Sequence, residues 1–253
     1  MRKRLTAWLL ALVMALTLVG CGDDVTVIGV TTGGDQTPQQ QEQQDTTTNE
    51  SNEFRVGMEC AYAPNNWQES EATDSNVPVE NVAGAYAEGY DVQIAKAIAD
   101  GLGKELVIVK TEWDGLPMGV MSGAFDAIIA GMSPTEERKA TLDFSDPYRT
   151  NKLVVVVKKD SPYASATSLE ELSGATITGQ LNTFHYTVID QIPGVNKAMA
   201  METFPAMIVA VQSGAVDGYV AEEDGAQADT AANPDLTYIK FDKGKGFEAS
   251  EAD

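Results

Sequence analysis

The chain has 253 residues, with 38 Asp and Glu against 17 Lys and Arg, and its formal charge of −21 argues against a nucleic-acid partner, because phosphate binding needs a basic surface. One histidine (His185) and two cysteines (Cys21 and Cys60) give no metal-ligand spacing, so no metal or other cofactor is expected. No Gly-x-x-x-x-Gly-Lys loop is present, so any ATP hydrolysis belongs to another chain.

Residues 1–20 read as an export signal. Arg2, Lys3 and Arg4 precede an apolar run, Leu5 to Val19, that is short for a membrane span. The run ends Leu18-Val-Gly-Cys21, which resembles the lipobox of bacterial lipoproteins. That resemblance implies cleavage before Cys21, lipidation of Cys21 and attachment to the membrane by lipid alone. Residues 21–52, with Gly33-Gly34, Pro38 and glutamines from Gln39 to Gln44, cannot bury a core and read as a flexible linker. With Cys21 lipidated, Cys60 has no disulfide partner and reads as a small apolar filler.

Phe54 to Met58 alternates as a strand does and leads into a loop from Cys60 to Trp67. An extended loop or hairpin is expected over 68–88. Asp91 opens a helix with Val92, Ala95, Ile98, Ala99 and Leu102 on one face and Gly103 as its stop. Glu105 to Lys110 is the next strand. A helix ending at Ser122-Gly123 and a short strand follow, and this order predicts a largely parallel sheet. Asp143-Phe-Ser-Asp-Pro147-Tyr148 ends the first half.

Leu153 to Val157 suits a buried crossing strand that opens a second α/β half. Ser168-Leu-Glu-Glu171 has capping-box spacing. Thr176 to Thr178 is a strand, Asn182-Thr183 starts a helix stopped by Pro193-Gly194, and Met201 to Phe204 is a strand before a helix with Pro205 in its first turn. Leu236 to Phe241 would return towards the first half. The expected divisions are 1–20 signal, 21–52 linker, 53–152 first lobe, 153–242 second lobe, and 243–253 an incomplete return to the first lobe, with a further C-terminal segment anticipated.

One phrase occurs twice. Val120-Met-Ser-Gly-Ala-Phe-Asp126-Ala-Ile-Ile-Ala130 is echoed by Val211-Gln-Ser-Gly-Ala-Val-Asp217-Gly-Tyr-Val-Ala221. Each copy reads as a helix, a Ser-Gly stop, a turn through Asp and a short strand. The first continues into Gly131-Met-Ser133-Pro-Thr135-Glu-Glu-Arg138, with one fixed cation; the second continues into Glu222 and Glu223. Open α/β sheets bind ligands at the carboxyl ends of their strands, so a zwitterion fits between the two tails. The alternative is a helix-turn-strand unit repeated only for folding.

The segment Gly123-x-x-Asp126-x-Ile-Ile-Ala-Gly131-Met-Ser133-x-Thr135-x-Glu137-Arg138, followed by Asp143-Phe-Ser-Asp-Pro147-Tyr148, resembles the polar amino-acid-binding proteins of ABC importers, solute-binding family 3. Gly89-Tyr-Asp91 and Trp113-Asp114-Gly115 add to the resemblance, which runs from Phe54 to Phe241. It implies a type II periplasmic-binding-protein-like α/β fold: two lobes, each a mostly parallel sheet flanked by helices, with the ligand in the cleft. It also implies a monomer outside the cytoplasm that delivers an amino acid to permease subunits with a separate ATPase.

By the same resemblance Arg138 and Ser133 take the ligand carboxylate, and the Gly131 carbonyl and Glu222 take its ammonium. Asn182 and Thr183 add donors, Gln180 is a polar contact, Tyr62 and Trp113 stack on the side chain, and Met132 lies in the same stretch. Stacking on Trp113, Tyr62 and Trp67 tilts the ligand towards Arg, Lys or His. Two departures stand out: Asn182 where the family has glycine, and Glu222 where it commonly has aspartate. The rival readings are a dehydratase-like enzyme on the same fold, with Glu222 or His185 as proton donor, and a ligand-sensing receptor domain.

Overall fold

The computed structural model describes residues 51–248. The export signal, Cys21, all but the end of the linker, and residues 249–253 lie outside them. β1 (Glu53–Met58) buries Phe54, Val56 and Met58 as its alternation requires. The region expected as loop and hairpin is more regular. β2 (Ala61–Tyr62), β3 (Asn66–Glu69), β4 (Val77–Pro78) and β5 (Tyr86–Glu88) form an antiparallel sheet in the order β2-β3-β5-β4. Strands of two to four residues carry too few alternations to be read from sequence.

α1 (Tyr90–Leu102) ends at Gly103 in the left-handed conformation, φ 66°. Val92, Ala95 and Ala99 are buried, but Ile98 and Leu102, expected on the same face, are 40% and 57% exposed. The buried stripe is narrower than the apolar pattern, because α1 packs on β6 (Glu105–Lys110), β3 and β5 through its small residues. α2 (Leu116–Met121) and β7 (Ala127–Ile128) follow, and the sheet β6-β1-β7 is parallel throughout. After β4 the chain runs along the outer edge of β6: Val79 bridges Ile108, and Asn81 exchanges two hydrogen bonds with Lys110. α3 (Glu136–Lys139) is a single turn, capped by the Thr135 hydroxyl accepting from the Arg138 N–H.

The second half begins with β8 (Leu153–Lys158), and Val154 to Val157 are all buried. β9 (Thr176–Thr178), α4 (Phe184–Thr187), β10 (Asn196–Lys197), α5 (Phe204–Ser213), β11 (Gly218–Glu222), α6 (Glu223–Ala232) and β12 (Leu236–Ile239) complete it. The sheet order is β10-β9-β11-β8-β12. This sheet is mixed, since β8 is antiparallel to both β11 and β12 while β9 is parallel to β10 and β11. Successive β8 residues face opposite cores, Val154 and Val156 against α5, Val155 and Val157 against Leu172, Ile177 and Ile189.

Three local expectations fail. Met201 to Phe204 is not a strand: Thr203 caps α5 by accepting the Ala206 N–H, which puts Phe204 in the first turn, and the strand lies at β10 instead. The capping box yields only a 3-10 turn over Glu170–Leu172, with Glu171 reaching back to the Thr167 N–H at 2.6 Å. Residues 243–248 pack on the second half rather than the first, with the Phe247 ring against Phe241 and Lys245 O accepting from Leu169 N.

The two echoed phrases fold alike. Gly123 and Gly214 close their helices at φ 75° and 77°. Asp126 then exchanges two hydrogen bonds of 2.8 Å with the Arg55 backbone before β7, and Asp217 makes the same pair with Thr176 before β11. The repeated aspartate is a register clamp between adjacent strands.

Candidate ligand-binding site

The carboxyl ends of β1, β7 and β11 converge, and the loops leaving them line one small pocket between the halves. Its walls include Tyr62, Trp113, Gly131, Ser133, Arg138, Gln180, Thr183 and Glu222, together with Phe184 and His185. Eight of the ten residues named from sequence therefore line it. Met132 does not; it packs towards Trp113, Leu116 and Phe125 and faces a larger groove. Asn182 enters through its backbone instead, its carbonyl accepting from Arg138 Nη2 at 2.9 Å.

Arg138 is held on three sides. Nη1 donates to Ser133 O at 2.9 Å, Nη2 reaches Asn182 across the cleft, and the guanidinium lies 5.3 Å from the centre of the Trp113 ring. A guanidinium remains charged at any relevant pH and offers paired donors, a chemistry that suits a carboxylate. Asn182 adopts φ 55°, a conformation that asparagine tolerates better than most side chains, and its amide donates to Asp114 Oδ1 at 2.8 Å.

The second half brings an acid. Glu222 is buried at the end of β11 and accepts the Tyr62 hydroxyl, while the Tyr62 ring stacks on Phe204 at 4.4 Å. His185 Nε2 lies 2.9 Å from Glu222 Oε2 without the alignment of a hydrogen bond, and its Nδ1 meets the Thr183 hydroxyl at 3.2 Å. Burial pushes Glu222 up to about 8 and, with the Arg138 charge adding to it, His185 down to about 3. Both groups are thereby driven towards their neutral forms.

Sequence reasoning missed Glu59, which is 3% exposed just beyond β1. Its Oε2 accepts from Gln180 Nε2 at 3.0 Å across the cleft, its Oε1 has no partner, and burial raises it to about 7. Its position at the carboxyl end of a parallel strand was the available signal. Trp67, offered as a further stacking ring, donates to Glu69 and does not line the pocket.

The pocket has a volume of about 10 Å³, enough for about one water, so a larger ligand fits only if its walls move apart. A groove of about 1420 Å³ shares Tyr62, Gly131, Ser133 and Glu222 with the pocket but is not lined by Arg138. Among the described residues no acid, histidine or cysteine cluster suits a metal ion, and no helix is long and apolar enough to cross a membrane.

Comparison with known proteins gives the family. A probable histidine-binding protein of Campylobacter jejuni is 29% identical over 249 residues, covering 98% of this chain and 85% of its own length. The arginine-binding extracellular protein ArtP of Bacillus subtilis is 30% identical over 177 residues, covering 69% and 68%. A truncated, arginine-bound ArgBP from T. maritima superposes with a TM-score of 0.64 at 31% identity, over 78% of this chain and 84% of the other. The family model of the bacterial extracellular solute-binding proteins, family 3, matches residues 54–197, and the chain belongs to that family.

Proposed function

We propose that this chain captures a free L-amino acid with a cationic side chain between its two halves and delivers it to a membrane permease driven by a separate ATPase. The observation that carries the reading is the meeting of Arg138, from the first half, with Glu222, from the second, in one buried pocket. The ligand carboxylate replaces the carbonyl partners of Arg138, with Ser133 and Thr183 beside it. The ammonium takes Glu222 and the Gly131 carbonyl, and a positive charge beside Glu222 favours its ionised form. The side chain lies between Tyr62 and Trp113, with its cation directed to Glu59, whose unpartnered oxygen otherwise costs desolvation energy.

A ligand touching both halves stabilises the closed arrangement, because it makes all of its contacts only there. In this reading the lobes are 53–152 and 153–242, the chain acts as a monomer, and Cys21 carries the lipid that holds it at the outer face of the membrane. The relatives named above are arginine- and histidine-binding proteins, which favours that side-chain class. A thermal-shift screen tests it. Arginine, lysine or histidine should raise the midpoint by several degrees, glutamine less, and prephenate should neither shift it nor be turned over. No shift with any amino acid, or turnover of prephenate, would sink the reading.

A further inference from the structure

Behind the pocket runs a chain of hydrogen bonds that begins on a side chain outside the proposed site and ends on two of the loops that line it. Asp91, fully buried in the first turn of α1, accepts Asn66 Nδ2 on Oδ2 at 2.8 Å and the Tyr148 hydroxyl on Oδ1 at 2.8 Å. Each of these donors also holds a main-chain N–H. Asn66 Oδ1 accepts from Cys60 N at 2.9 Å, and the Tyr148 oxygen accepts from Gly131 N at 3.0 Å. One carboxylate thus ties together the two loops that leave β1 and β7, the loops that carry Glu59, Tyr62, Gly131 and Ser133.

Both anchored residues sit in left-handed backbone, Cys60 at φ 52° and Gly131 at φ 63°. For Cys60 that conformation is unfavourable unless its surroundings impose it. A carboxylate that only needed its lone pairs filled could draw on any donor; here both donors end on ligand loops. Arg149, the residue after Tyr148, forms an ion pair with Asp224 of α6 at 2.9 Å and also donates to Asn65, so the same segment is fastened to both halves.

We propose that Asp91 and Tyr148 are positioning residues for the binding site, holding the Cys60 and Gly131 loops in register through Asn66 and the Tyr148 hydroxyl. The proposal rests on the reading that the Gly131 loop holds the ligand. The test is Tyr148→Phe in the full chain. The ring is 37% exposed, so the substitution removes one hydroxyl without opening a cavity. Arginine binding is followed by calorimetry, and exchange of the Gly131 amide hydrogen is followed by NMR. We expect affinity to fall by about fivefold to tenfold, the effect of one lost hydrogen bond, and Gly131 exchange to quicken. Asp91→Asn should weaken binding too, and the double variant should bind no worse than the weaker single one, because both act through one chain. Arginine affinity within twofold of wild type, or unchanged Gly131 exchange, overturns the proposal. If the wild type itself bound no amino acid, the functional reading would fall, and Gly131 exchange in Tyr148→Phe would still decide whether Tyr148 holds the loop.

Discussion

The two helix-turn-strand copies share their turn and differ in nearly everything around it. Both close a helix on a left-handed glycine and both clamp the neighbouring strand with an aspartate. Yet α2 has six residues against ten for α5, and β7 is a half-buried edge strand whereas all five residues of β11 are buried. Packing is rebalanced as well. The first copy seats Phe125 against Gly57 and Gly119, where an added Cβ would lie 2.5 Å and 2.3 Å from the ring. The second puts Thr178, Ala210 and Val216 at the matching positions, a smaller side chain between larger neighbours. A short local code therefore sets the turn, while sheet position sets burial and core volume. The tails then diverge in charge, and the proposed site rests on that divergence.

Four tests, two of them paired substitutions, probe the comparison, from the largest expected effect to the smallest. Arg138→Ala, in the tail of the first copy, should weaken arginine binding by about 100-fold or more while leaving the urea midpoint nearly unchanged, since α3 is a single surface turn. Gly119→Ala should cost about 2 kcal/mol by overpacking against Phe125, whereas Ala210→Gly at the matching position of the second copy should cost about 1 kcal/mol through helix propensity. Asp217→Ala should destabilise by about 2 kcal/mol and Asp126→Ala by about 1 kcal/mol, because the second clamp is the more buried.

The mildest change is in pH. Burial raises Glu222 to about 8 and Glu59 to about 7, so as pH rises the unfolded chain loses these protons before the folded one does, and stability falls. His185, lowered to about 3, has the opposite sign and adds stability as pH rises, but only up to about 6.5, its ordinary value. The urea midpoint of the protein without amino acid should therefore decline between about pH 6.5 and 8, and Glu222→Gln should flatten that decline. A midpoint that stays level across this range would mean that Glu222 and Glu59 are ionised in the folded chain.

Much of this was legible in the sequence, for physical reasons. The repeated phrase carries its own turn chemistry, and five consecutive apolar residues in β8 suit a strand covered on both faces. Asn182 in place of glycine was a visible departure, and the left-handed backbone there explains why asparagine serves. The short antiparallel strands between Ala61 and Glu88 were not legible, because pairing between strands so brief is decided by tertiary contacts. Glu59 was missed because its one signal, a place at the carboxyl end of a parallel strand, is shared by every residue of the loop there; burial and the approach of Gln180 from the other half single it out. The relay through Asp91 was equally hidden, since it joins residues far apart in the chain.

The central claim is that the two tails read a zwitterion, with Arg138 on the carboxylate. Calorimetric titration of the full chain with L-arginine and with agmatine, which keeps the guanidinium but lacks the carboxylate, tests it most directly. We predict saturable binding of arginine and a loss of about 100-fold or more for agmatine, close to the loss that arginine shows with Arg138→Ala. Equal affinity for the two ligands would contradict the account.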